Sequence, residues 1–172
     1  MHLIVKFSFL IMTLFFYFKA SAEMLTTSKY SEIREVAEKK LKTYGAENLL
    51  IVLDIDNTTL TMAQQLGSDQ WFGWQYRVCQ RKEKECHVNN KKELMELQGK
   101  LFSLSRMLPT EDDAVKLVSD MQEKGVKVLF LTSRGPVYRN ATERELKKNG
   151  YNTSKNTIGP DKGYAGTYFP VT

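Results

Sequence analysis

The residues best placed to do chemistry are Asp54-Ile55-Asp56-Asn57-Thr58, which follow directly on the apolar run Leu49-Leu50-Ile51-Val52-Leu53. A carboxylate at the end of a buried strand can attack phosphorus and form an acyl phosphate, dividing one hard hydrolysis into two easier displacements. Asp54 suits that role. The leaving oxygen then needs a proton and the attacking water must lose one, which is work for a second carboxyl in a different environment, and Asp56 lies two residues on. Two carboxyls beside a phosphate dianion repel one another, so a hard cation with oxygen ligands is required, and Mg2+ is the usual companion of carboxylate plus phosphate. Asp and Asn also favour turns after strands, so the same residues suit a simple polar turn, in which Thr58 makes local hydrogen bonds. A second apolar run, Val126 to Leu131, likewise stops at polar residues, Thr132-Ser133-Arg134.

The elements that must position these residues are legible in hydrophobic period and helix punctuation. Ile33, Val36, Ala37, Leu41 and Tyr44 recur at helical spacing over Ser31 to Tyr44, with Gly45 just past the end. The unbroken run 49–53 has the pattern of a strand covered on both faces, as in a parallel sheet. Thr110-Glu111-Asp112-Asp113 has capping-box spacing behind Pro109, and Ala114, Val115, Leu117, Val118 and Met121 give the following helix a buried face up to Gly125. The run 126–131 is the second strand. A third helix is expected within Val137 to Asn149, closed by Gly150, with Thr142-x-x-Glu145 as another cap, and a weak third strand near Asn156 to Ile158. Alternating strands and helices predict an α/β fold whose ligand groups gather beyond the carboxyl ends of the strands. The stretch from about Thr61 to Leu108 exceeds an ordinary connection and carries Leu94, Leu97, Leu101 and Leu104 at helical spacing, so it reads as a mainly helical cap inserted over the site.

Asp54-x-Asp56-x-Thr58 after an apolar strand, with a second strand ending in Thr132, resembles the first two motifs of the haloacid dehalogenase (HAD) superfamily. Gln64 to Gln80 is similar to the cap of exported acid-phosphatase-like members, some of poorly characterised function. The resemblance implies a Rossmann-like core, a parallel sheet flanked by helices, and a Mg2+-dependent phosphomonoester hydrolase acting through an aspartyl-phosphate. It implies Asp54 and Asp56 as catalytic residues, with the Asp54 side chain and the Asp56 backbone carbonyl as metal ligands. Thr132 would offer its hydroxyl to a phosphoryl oxygen. Ser133 and Arg134 join it as phosphate-binding candidates, although a loop arginine is commonly a solvated side chain. The family also uses a downstream lysine and a later acidic pair. Lys162 sits in the turn-rich stretch Gly159 to Gly163, and no acidic pair precedes Thr172, so the expectation is an incomplete, truncated core with impaired activity. The Asp54 strand would then have an open edge and an uncovered apolar face. A noncatalytic exported protein that binds phosphate, metal or a partner is the alternative.

Met1 to Ala22 has the form of a signal peptide: Lys6, an apolar run from Phe7 to Phe18, and Ala20-Ser21-Ala22 as a cleavage site. The chain is therefore expected to be exported, periplasmic or secreted, meeting the membrane only during export. Cleavage takes Lys+Arg from 25 to 23 against 20 acids, and the formal charge from +5 to +3. That is too mild a balance for nucleic acid, and the resemblance implies a small phosphorylated substrate as partner. Cys79 and Cys86, the two cysteines of an exported chain, are expected to form a disulfide. With His87 the sole histidine past the signal segment, they fall short of a four-ligand zinc site. Trp71, Phe72, Trp74 and Tyr76 form an aromatic cluster that either lines a pocket or packs the cap. The triplet Asn140-Ala141-Thr142 has glycosylation-acceptor form but falls inside a predicted helix. Oligomeric state is not encoded in these patterns.

Overall fold

The computed structural model describes residues 23–156 and 158, together with the backbone of residues 167–168. The predicted signal segment and Lys162 lie outside the described residues. The fold is mixed α/β, with a small parallel sheet, an antiparallel strand pair and five helices among the described residues.

Helix α1 (Tyr30–Tyr44) leads into strand β1 (Leu50–Asp54). Strand β2 (Leu60–Met62), helices α2 (Asp69–Gln80) and α3 (Lys91–Leu104), and strand β3 (Met107–Pro109) follow. The chain then forms α4 (Asp112–Glu123), β4 (Lys127–Leu131), α5 (Arg139–Lys148) and the short β5 (Thr167–Tyr168). Strands β1 and β4 pair in parallel with Asp54 opposite Leu131, and β5 pairs in parallel on the far side of β4. The third strand is therefore 167–168, not the predicted 156–158. Asn156 instead takes a left-handed backbone and accepts a hydrogen bond from Val128 N–H through its carbonyl.

The order β1-β4-β5 advances in one direction, and α4 and α5 contribute to one buried core against the sheet. Helix α1 packs on α4. The core lies on one face of the sheet, where Leu53, Val128 and Phe130 meet Leu117, Val118, Met121 and Leu146, all buried. On the opposite face β1 is exposed among the described residues, while Leu129 and Leu131 of β4 are half-buried. Leu50 and Val52 remain 44% and 47% exposed, so the run pattern's reading of a strand covered on both faces does not hold, whereas the uncovered apolar face expected of an incomplete core is seen. The α1 pattern also overstated burial: Ala37 is buried, but Val36 and Tyr44 are exposed.

Two predicted caps are absent. Glu111, not Thr110, precedes α4, and its side chain makes no capping bond. Thr110 instead donates its hydroxyl to the Thr58 carbonyl. Thr142 and Glu145 lie inside α5, both buried. Their spacing has the form of a cap, but tertiary contacts use the two side chains otherwise.

The inserted stretch leaves and rejoins the core through β2 and β3, which pair antiparallel from Leu60 opposite Pro109 to Met62 opposite Met107. Its helices have their own punctuation. Ser68 caps α2 by accepting from Trp71 N–H at 3.2 Å, and Asn90 caps α3 by accepting from Glu93 N–H at 3.0 Å. Cys79 and Cys86 are joined by a disulfide that ties the end of α2 to the α2–α3 loop. No helix among the described residues is long and apolar enough to cross a membrane.

Candidate active site

Asp54 is the last residue of β1, and Thr132 follows the last residue of β4, so parallel register brings the two to neighbouring strand tips. Beyond Asp54 the chain turns sharply. Asn57 takes φ 57°, and Asn57 N–H donates to the Leu60 carbonyl at 2.8 Å while Leu60 N–H returns to that of Ile55 at 2.9 Å. Thr58 donates its hydroxyl to Asp54 Oδ2 at 2.9 Å, the local role read from the sequence. Ile55 and Leu60, fully buried, anchor this loop from beneath.

Hydroxyls from three separate elements fix the loop from outside. Tyr30 of α1 donates to the Thr58 carbonyl at 2.8 Å, Thr110 donates to the same oxygen, and Tyr151 donates to the Thr59 carbonyl at 3.1 Å. Burial pushes both tyrosines above their ordinary value, so they remain protonated donors throughout the physiological range.

Asp56 is the point on which the second segment converges. Arg134 reaches Asp56 Oδ2 through Nε at 3.0 Å and Oδ1 through a second guanidinium nitrogen, forming a two-pronged ion pair. Thr132 donates its hydroxyl to Asp56 Oδ2 at 3.3 Å and accepts from Arg134 N–H at 3.2 Å. The remaining guanidinium nitrogen donates to Thr142 at 3.1 Å, and the guanidinium carbon lies 3.3 Å from the Phe102 ring centroid. Burial lowers Arg134 from its ordinary value, while the charge and hydrogen bonds of Asp56 act in the opposite direction. Arg134 is thus not a solvated side chain: in this arrangement its guanidinium is engaged by Asp56 and Thr142 rather than presented to an anion.

Above this pair the insertion closes a cavity of about 250 Å3, whose walls include Asp56, Ser133 and Arg134 from the core and Asp69, Gln98 and Phe102 from the insertion. Asp54 and Thr132 are not among its lining residues, nor is any of the four clustered aromatics. Trp74 and Tyr76 are exposed on α2, so the aromatic cluster is only partly packed. Asp69, Gln98, Gly99 and Tyr138 carried no signal that the sequence reading used. Gly99 could have been flagged, since a glycine inside a helical pattern has a packing reason when it is retained. A Cβ there would lie 2.1 Å from Tyr138 Oη, so its absence lets α3 settle onto the core.

Among the described residues no group of three or more His, Cys, Asp or Glu side chains converges on a cation position. The donors present nevertheless fit Mg2+, which keeps several waters and borrows substrate oxygens. Asp54 Oδ2 accepts from Thr58, whereas Asp54 Oδ1 and the Asp56 carbonyl accept no hydrogen bond among the described residues. A family model described as "Protein of unknown function (DUF2608)" matches residues 26–168. No curated protein and no solved structure matches.

Proposed function

As this chain belongs to the DUF2608 family, we propose that its site is a HAD-like, Mg2+-dependent phosphomonoester hydrolase acting outside the cytoplasm after removal of residues 1–22. The observation that carries this reading is the meeting of Asp54, Asp56 and Thr132 at the tips of adjacent parallel strands, with Thr132 hydrogen-bonded to Asp56. In this reading the inserted stretch is a cap over a Rossmann-like core.

Asp54 attacks phosphorus, and its carboxylate becomes the acyl phosphate, while the alkoxide of the ester leaves with a proton from Asp56. Water then attacks phosphorus while Asp56 takes its proton, the bond between phosphorus and the Asp54 oxygen breaks, and inorganic phosphate leaves with Asp54 restored as carboxylate. Asp54 Oδ1 and the Asp56 carbonyl would hold the metal, which supplies charge neutralisation for the phosphoryl oxygens. Proton donation requires Asp56 to leave its two-pronged pair, so Arg134 must turn from Asp56 to the phosphoryl group when substrate arrives. Ser133 lies in the cavity wall, within the region the phosphoryl group would enter.

The experiment is turnover of p-nitrophenyl phosphate by the full chain with Mg2+, with and without chelator. Asp54→Asn should reduce kcat at least about a thousandfold, as loss of a covalent nucleophile does. Turnover that persists in Asp54→Asn rejects the mechanism. The Asp56–Arg134 pair itself favours a second reading, a noncatalytic exported protein that binds phosphate, metal or a partner. Measurable Mg2+-dependent phosphate binding with no Asp54-dependent hydrolysis would select that reading.

A further inference from the structure

The cavity beneath the insertion is electrically unbalanced. Asp56 and Arg134 neutralise each other in their ion pair, but the other carboxylate in the wall, Asp69, has no cation bonded to it among the described residues. Its partners are two neutral amides: Asn57 donates to Oδ2, and Gln98 donates to Oδ1 at 3.1 Å. Each carboxylate oxygen has room for a further donor. The same two bonds fix the carboxylate where the catalytic loop, α2 and α3 meet, so its charge is held at the cavity mouth.

The other walls supply Leu60, Met62, Met107 and Tyr138, apolar or aromatic surface with few competing donors. No lysine is among the described lining residues, and the arginine among them is already paired. A second anionic group on a ligand would meet Asp69 without a countercharge. A protonated amine would gain an ion pair with Asp69.

Resting on the hydrolase reading above, we infer that this cavity takes the leaving group of an amino-alcohol phosphomonoester, with Asp69 as the residue that recognises its ammonium. The phosphoryl end lies toward Asp54, Asp56 and Thr132, and the cationic end points to Asp69. The cavity, about 250 Å3, has room for a short leaving group. Asp69 is a specificity residue here, since it contacts the substrate away from the reacting atoms.

Phosphoethanolamine and 2-hydroxyethyl phosphate test this, because they differ only in an ammonium against a hydroxyl. With the full chain and Mg2+, kcat/KM should favour phosphoethanolamine about tenfold, equivalent to about 1.4 kcal/mol. Asp69→Asn should bring the ratio close to one. The ratio is independent of the fraction of active protein, so partial misfolding of the variant does not disturb it. In the wild type the preference should also shrink as ionic strength rises from about 0.02 M to about 1 M, since Asp69 is exposed and its field is screened. A wild-type ratio within twofold of one, or an unchanged ratio in Asp69→Asn, overturns the inference. If neither ester nor p-nitrophenyl phosphate is hydrolysed, the hydrolase reading falls, and calorimetric titration with ethanolamine decides this one. Binding weakened at least fivefold by Asp69→Asn upholds it, and equal or undetectable binding to both proteins overturns it.

Discussion

Arg134 and Asp56 define the chemistry of the site at the scale of single residues, because each satisfies the other in a setting with little water. The Arg134 side chain is 10% exposed and that of Asp56 35%. Removing the arginine leaves a half-buried carboxylate with only the Thr132 hydroxyl, and a lost charged partner of this kind costs about 1–3 kcal/mol. Arg134→Ala should therefore lower the unfolding free energy, read from urea denaturation, by that amount. Asp56→Asn should cost less, since a neutral acceptor remains, and the double variant should show a coupling of at least about 1 kcal/mol. Additivity within about 0.3 kcal/mol would mean that the pair contributes nothing to stability. The strand-tip residues were readable in the sequence because each interrupts an apolar run, and such an interruption places a polar group at a sheet edge. The use of Arg134 was not readable, since its partner lies 78 positions away and its ring contact is on another element.

At the scale of elements, α5 does more than cross over from β4 toward β5. Buried Glu145 accepts from Met107 N–H at 2.9 Å, and Asn149 donates to the Met107 carbonyl at 3.1 Å, so two side chains of α5 region hold the start of β3 as a strand partner would. Burial alone raises Glu145, but the Met107 N–H, Arg144 and Lys148 outweigh it and hold the carboxyl below its usual 4.5. With a depressed folded-state value, the unfolded chain binds the proton more readily between the two values. The stabilisation is complete above the ordinary glutamate range and is lost as pH falls through the folded value. Urea unfolding followed from pH 7 downward should show stability holding to about pH 5 and then declining below about pH 4.5. In Glu145→Gln that decline should be shallower, because the group no longer titrates. An identical acid profile in the two proteins would remove Glu145 from the account. Thr142-x-x-Glu145 read as a helix start because the spacing of a cap and of a buried helix face coincide there. Only the packing of β3 against α5 separates the two.

For the whole molecule, the decisive feature is that, among the described residues, the helices covering the parallel sheet pack on one side of it. The strand runs and the parallel pairing followed from hydrophobicity alone, but periodicity read β1 as covered on both faces, and only the incomplete match to the family's motifs pointed to the uncovered one. Ile51 and Leu53 point to the core with Val128 and Phe130, whereas Leu50 and Val52 point away. Truncating Leu53, 7% exposed, removes packed atoms and leaves a void, so Leu53→Ala should cost about 2–5 kcal/mol. Val52→Thr, one residue earlier on the open face, should change stability by no more than about 0.5 kcal/mol. Leu50→Thr should be equally mild. Chemical denaturation of the three variants measures this directly, with the midpoint falling for Leu53→Ala alone. A loss above about 2 kcal/mol in Val52→Thr would mean that the outer face is covered in solution, and the one-sided architecture would have to be given up. The same contrast bears on the site, since Asp54 continues the outward series of Leu50 and Val52 and is exposed, while Asp56 lines the cavity. The two carboxylates thus approach the strand tips from different sides, and a phosphoryl group reaching both must lie over the end of β1 rather than deep beneath the insertion.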